Sequence, residues 1–265
     1  MAFIQTDTFT LRGYECDAFG RMSIPALMNQ MQESANRNAL DYGIGIADLV
    51  GRGFGWMLMR FRLRIHQYPR YGQTIRLTTY PTAVEKYFIY RDFQVRAEDD
   101  TLLADATSTW LVFSTEKRTM VPMPDFIRSL TPPSGPEPLP RLSSKPDFQT
   151  IPFVPDLDKT VEVGWLSIDQ NHHVNNVAYV GWLLEAVTDS WLQTRELAEI
   201  DLVYRTESHW RDQLRIELAT ETSDTLLHRI SQYESGKEVL LARSRWRDNG
   251  FVIPTKEGSS GEPIE

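Results

Sequence analysis

Hydrophobic and polar positions along the chain change period in a fixed order, and the order occurs twice. Phe9, Leu11 and Gly13 alternate with Thr10, Arg12 and Tyr14, which predicts a strand over residues 6–15. Ile24, Leu27, Met28, Met31, Ala35, Ala39 and Tyr42 then recur at spacings of three and four, the stripe of a helix buried on one face. Ser23 is placed to cap its start, Pro25 suits its first turn, and Gly43 and Gly45 can end it. Residues 56–67, 74–80, 87–96 and 102–114 read at period two, as strands of an antiparallel sheet. After a break the order resumes. A strand is predicted over 160–166, a helix on the stripe Val177, Val180, Leu184, Val187 and Trp191, and strands near 199–209, 213–222, 225–234 and 238–247.

The break is compositional. Ten of the fifteen prolines lie between Pro122 and Pro155, where they remove backbone donors and favour extended chain, so this segment reads as a surface linker. The expected organisation is a first domain over 1–128, a linker over 129–155, a second domain over 156–250 and a disordered polar tail over 251–265. The two sides align without gaps at an offset of 152: Asp17 falls on Asp169, Ala26 on Ala178 and Glu33 on Glu185. Shared element order and this register point to an internal duplication. The fold class is therefore α+β, with two tandem domains, each a long helix wrapped by an antiparallel sheet, forming a pseudo-dimer within one chain.

Composition narrows the partners. A formal charge of −8 disfavours nucleic acid. No run of residues reaches the ~20 apolar positions of a membrane span, and the first residues have neither the basic nor the apolar part of a secretory signal. The single cysteine, Cys16, excludes an internal disulfide and fits a cytoplasmic setting. Cys16 and the five histidines show no metal-ligand spacing. His172 and His173 are adjacent, an arrangement whose ring nitrogens seldom converge on one ion. No metal or cofactor is expected. Gly51 to Gly55 lacks the Gly-Lys-Ser/Thr ending of a phosphate loop.

The chemistry gathers before the second helix. Asp169, Asn171, His173, Asn175 and Asn176 fall within eight residues. Asn175 or Asn176 can cap the helix, which leaves Asp169, Asn171 and His173 beside its N-terminus, where free N–H groups and the helix dipole favour a developing oxyanion. The first half has Phe19 and Arg21 where the second has Asn171 and His173, and neither can serve as a base near neutral pH. One active site is expected, in the second half, with the first half supplying an apolar pocket in which Met28 and Met31 are candidate lining residues.

The pattern Asp-x-Asn-x-His-Val-Asn-Asn-x-x-Tyr, followed by an apolar helix, resembles the acyl-ACP thioesterases of plants and bacteria, over about residues 5–250. The resemblance implies a double hot-dog fold and hydrolysis of fatty acyl chains from acyl carrier protein. It extends to Tyr204-Arg205-Thr206-Glu207-Ser208, where the plant enzymes carry Tyr-Arg-Arg-Glu-Cys. Glu207 matches the family glutamate. Ser208 stands in place of the cysteine, so a Cys-His-Asn mechanism is closed to this chain, and Ser208 is an auxiliary candidate at most. The expected roles are Glu207 activating a water, Asn171 helping to hold it, His173 polarising the carbonyl or sharing the base role, and Asp169 orienting Asn171 or His173.

Two other readings stay open: a hot-dog acyl-CoA thioesterase and a non-catalytic acyl-binding regulator. A homodimer is compatible with the sequence. The carrier protein is itself acidic and needs local positive charge on this acidic chain. Arg60, Arg62 and Arg64, and Arg243, Arg245 and Arg247, share strand faces and are the docking candidates.

Overall fold

The computed structural model describes residues 3–250 apart from 144 and 152. The expected tail over 251–265 lies outside the described residues.

Among the described residues, eleven strands form one antiparallel sheet. In the first half they are β1 (Gln5–Thr10), β2 (Phe54–Ile65), β3 (Thr74–Val84), β4 (Ile89–Ala97), β5 (Leu102–Ser114) and β6 (Thr119–Val121). In the second they are β7 (Leu157–Glu162), β8 (Arg195–Tyr204), β9 (Gln213–Thr222), β10 (Thr225–Gln232) and β11 (Glu238–Asp248). The helices are α1 (Ile24–Asp41), α2 (Ile46–Val50), α3 (Asp125–Arg128), α4 (Asn176–Glu185) and α5 (Asp189–Thr194).

The sheet runs β1-β3-β4-β5-β2-β8-β11-β10-β9-β7, with β6 added on β5. Read from each outer edge inward, both halves follow the same sequence of strands. They meet at an antiparallel seam in which Arg60 to Arg64 of β2 pair with Val203 to Glu199 of β8. Identical order on both sides of an antiparallel seam is an approximate two-fold axis, the geometry of an isologous dimer. α1 and α4 pack against each other on one face of the sheet. Phe61, Leu63 and Ile65 of β2 and Ile200 and Leu202 of β8 point into one continuous core beneath them.

The equivalence of the halves extends to single hydrogen bonds. The Asp17 N–H donates to the Arg21 carbonyl, and the Asp169 N–H to the His173 carbonyl. Short bridges join Cys16 to Met22 and Ile168 to Val174. Ser23 and Asn175 each cap their helix, accepting from the N–H of Ala26 and of Val177 respectively. The loop bonds, the bridges and the cap residues keep the 152-residue offset; the capped N–H groups differ by one step, because Pro25, the counterpart of Val177, has no N–H.

The predicted second helix is broken. α4 ends at Glu185 and α5 starts after Thr188. Thr188, Asp189 and Ser190 are residues that favour a helix start over a helix interior, and they outweigh the stripe that runs on to Trp191. The first strand is also shorter than the alternation suggested, because Gly13–Glu15 turn into a single 3₁₀ turn, as Trp165–Ser167 do in the second half.

The proline-rich segment crosses the outer face of the sheet, opposite the helices. The Leu139 N–H donates to Asp92, and the Tyr80 hydroxyl donates to the Pro136 carbonyl. Phe148 is buried against Val203, Ala219, Leu227 and Leu241. That face is where both arginine rows lie, and they do not form the free positive rows expected of them. Arg60 is buried and pairs with Asp201 at 2.6 Å, donating also to the Ser143 carbonyl. Arg64 pairs with Asp105, Arg243 with Glu221 and Asp147, and Arg247 with Glu196. Arg62 sits in register with Asp201 and Thr107, and Arg245 with Glu199 and Thr225. Strand alternation predicted the shared face correctly. The carboxylates come from neighbouring strands and the linker, which alternation within one strand does not reveal.

Candidate active site

The loop before α4 is built by Asp169. Its Oδ1 accepts from the Asn171 N–H at 2.8 Å, and its Oδ2 lies 3.5 Å from the Asn171 amide nitrogen. The turn closes with the His172 N–H donating to the Asp169 carbonyl. His172 has φ of +63°, as Gly20 has +68° at the same place in the first half. That conformation costs a residue with a Cβ about 1–2 kcal/mol, so the second loop holds its shape against local preference. Asn175 then caps α4.

One backbone bond brings the second segment to this loop. The Val174 N–H donates to the Ser208 carbonyl at 2.9 Å. Their neighbours His173 and Glu207 are thereby set side by side, with His173 Nε2 3.1 Å from Glu207 Oε2 and both side chains about 29% exposed. Arg118, from the turn between β5 and β6 of the first half, reaches to 3.6 Å from the same carboxylate. Ser208 is fully buried, and its hydroxyl accepts from Gln232 at 3.4 Å.

A cavity of about 540 Å³ opens at this loop and runs into the first half between α1 and the sheet. Asp169, Asn171, His173 and Glu207 line its mouth. Met28, Ala35, Phe61, Phe93 and Trp110 line its interior. Met28 lines this cavity. Met31 does not: it lies in the packed core and is not among the cavity residues, because three steps along a helix turn it away from the stripe Met28, Gln32, Ala35 and Ala39. Two features of the lining were not among the expected site residues, although Tyr179 closes the family motif. Arg91 is buried in the wall, donates to Asn38 and Thr79, and is pulled down to about 10 by burial. Tyr179 of α4 is buried near Glu207, and burial pushes its hydroxyl up to about 12.

The corresponding place in the first half is closed to this chemistry. Met22 donates to the Pro69 carbonyl as Val174 does to Ser208, so Tyr68 stands where Glu207 does. Arg21 replaces His173, pairing with Asp17 at 2.8 Å and Glu196 at 2.9 Å, and its guanidinium stacks on the rings of Phe19 and Tyr68. The space left is about 160 Å³. The two positions equivalent to His173 and Glu207 hold Arg21 and Tyr68, neither of which takes a proton from water at neutral pH, and the carboxylates present, Asp17 and Glu196, are both engaged by Arg21.

His209 was also missed. Its ring lies 5.0 Å from that of His173, and one ligand atom each of His173, Glu207 and His209 fall within 4.8 Å of one another. Among the described residues this is the group of side chains spaced to hold a metal ion.

Comparison with known proteins agrees with this architecture. Residues 4–130 match the family model described as the acyl-ACP thioesterase N-terminal domain, and residues 155–248 match its C-terminal domain. The chain is 28% identical to a palmitoyl-acyl carrier protein thioesterase of Cuphea hookeriana over 96% of its own length and 66% of the relative's. It is 30% identical to a dodecanoyl-[acyl-carrier-protein] hydrolase of Umbellularia californica, over 91% and 66% respectively. It thus spans slightly under two thirds of these relatives. The solved structure of the 12:0-ACP thioesterase from Umbellularia californica superposes with a TM-score of 0.79 at 26% identity, covering 92% of this chain and 97% of that one.

Proposed function

Because the chain belongs to the acyl-ACP thioesterase family, we propose that it hydrolyses fatty acyl-ACP to free fatty acid and carrier protein, by attack of an activated water on the thioester. The observation that carries this reading is the His173–Glu207 pair at the mouth of a long, mainly apolar cavity. Glu207 takes a proton from water as it attacks the carbonyl carbon. His173 and Asn171, with the first-turn N–H groups of α4, stabilise the tetrahedral oxyanion. Collapse of that intermediate breaks the C–S bond, and the proton leaves with the carrier's thiol. Asp169 acts one step back, fixing Asn171. The acyl chain lies in the cavity of the first half, against Met28, Phe61 and Phe93.

The same reading divides the chain into an acyl-holding domain over 1–128, a linker over 129–155 and a catalytic domain over 156–250. One chain carries both walls of the cavity, so the site needs no second copy. No helix among the described residues is long and apolar enough to cross a membrane, and a single cysteine suits the cytoplasm, where we place the reaction.

The test is release of fatty acid from acyl-ACP and acyl-CoA carrying the same chain. A higher kcat/KM for acyl-ACP is the expected result. Preference for acyl-CoA would make the protein an acyl-CoA thioesterase, and tight binding of both without turnover would make it a binding protein.

A further inference from the structure

The pair that we assign to water activation has a third neighbour with no part in that reaction. His209 follows Ser208 on the strand-end loop, and its side chain is about half exposed. Its own N–H donates to Asp212 Oδ2 at 2.8 Å, and its Nδ1 lies 3.9 Å from the same oxygen. One ligand atom each of His173, Glu207 and His209 lie within 4.8 Å of one another.

We propose that His173, Glu207 and His209 form a reversible binding site for a divalent transition metal of zinc's class, and that its occupancy arrests hydrolysis. The inference rests on the reading of His173 and Glu207 as reacting groups. Two imidazoles and one carboxylate suit zinc, whereas calcium and magnesium prefer all-oxygen sites. Bonds of ~2.0–2.1 Å place tetrahedral ligand atoms about 3.3 Å apart. The His173–Glu207 separation of 3.1 Å is already close to that. The wider spacing belongs to His209, whose exposed ring can swing inward. The set is therefore incompletely organised, as suits reversible capture rather than a resident metal. All three side chains are open to solvent, so an ion can enter. Arg118 is the opposing charge, but its side chain is 75% exposed and can turn outward. Zinc bound here would occupy the Glu207 oxygen that must take the proton from water and the His173 nitrogen that must face the oxyanion.

The experiment is calorimetric titration of chelator-stripped, tag-free protein with zinc chloride, beside magnesium and calcium chloride, for the parent and His209→Gln. Turnover on acyl-ACP is measured in parallel, as the ratio with and without zinc within each protein. The parent should bind one zinc ion, ignore magnesium and calcium, and lose turnover as zinc binds. His209→Gln should bind zinc roughly tenfold or more weakly, with a matching loss of inhibition. Failure of the parent to bind zinc, equal affinity in the variant, or full turnover with zinc bound would each overturn the proposal. If no acyl thioester were hydrolysed at all, the functional reading would fall. The titration would still decide the metal site.

Discussion

Glu207 takes its surroundings from three stretches of chain: His173 from the loop before α4, Arg118 from a first-half turn, and Ser208 from its own strand end. Of these only His173 and Ser208 were visible in the sequence as part of a site, since both sit in motifs. Arg118, His209, Arg91 and Tyr68 carry no local signal, because each acquires its meaning from a neighbour far along the chain. His173→Ala and Asn171→Ala should each lower kcat on the order of a hundredfold with an unchanged circular dichroism spectrum, since each removes a group that acts in the transition state. Ser208→Ala should retain most turnover, because the buried hydroxyl is held as an acceptor by Gln232. A dead Ser208→Ala with a trappable acyl-enzyme would instead indicate a serine nucleophile. His228 supplies a pH prediction. It is buried, bonded through Nε2 to Ser244 at 2.7 Å, and held by burial at about 3, well below its ordinary 6.5. Its folded form resists protonation while the unfolded form takes a proton below about 6.5. Stability should therefore fall as pH drops through the window from about 6.5 to about 3, by at most ~1.4 kcal/mol per pH unit from this group. Urea unfolding across that range should show a shallower decline in His228→Gln, which keeps a partner for Ser244 and does not titrate.

At the scale of elements, the strands and α1 were legible because a sheet half-buried on one face and a helix buried on one stripe impose their periods directly. The bounds of α4 were not, since a run of cap-forming residues cut a stripe that continued on paper. The loops before the two helices offer the sharpest test of the duplication. Gly20 and His172 share a left-handed backbone, and a Cβ built at Gly20 meets nothing within 4 Å. The cost of Gly20→Ala should therefore be conformational alone, about 1 kcal/mol in chemical denaturation. His172→Gly should leave stability within about 0.5 kcal/mol, because relief of strain is offset by the greater freedom of the unfolded chain. A large loss in His172→Gly would mean that the imidazole, not the backbone shape, is what the loop requires.

At the scale of the molecule, two halves joined strand to strand make one sheet and share a main core, and the larger cavity opens at the second half's loop. Repetition was legible in the sequence. The seam between β2 and β8 was not, because period two assigns residues to faces and leaves edge partners unspecified. Arg60 shows the consequence: it reads as surface charge but forms a buried pair with Asp201 across the seam. Arg60→Ala should cost about 3–5 kcal/mol in urea unfolding by stranding that carboxylate, without raising KM for acyl-ACP. A raised KM with little change in stability would restore the arginine row as a docking surface. The asymmetry between the halves makes the strongest claim, that hydrolysis has one centre and that Glu207 is its base. The most direct measurement is the single-turnover rate of fatty acid release from acyl-ACP by the parent protein and by Glu207→Gln, which keeps the shape and loses the proton acceptor. A base at Glu207 requires the variant to bind the loaded carrier normally and release fatty acid on the order of a hundredfold more slowly or worse. Release at the parental rate by Glu207→Gln would contradict it.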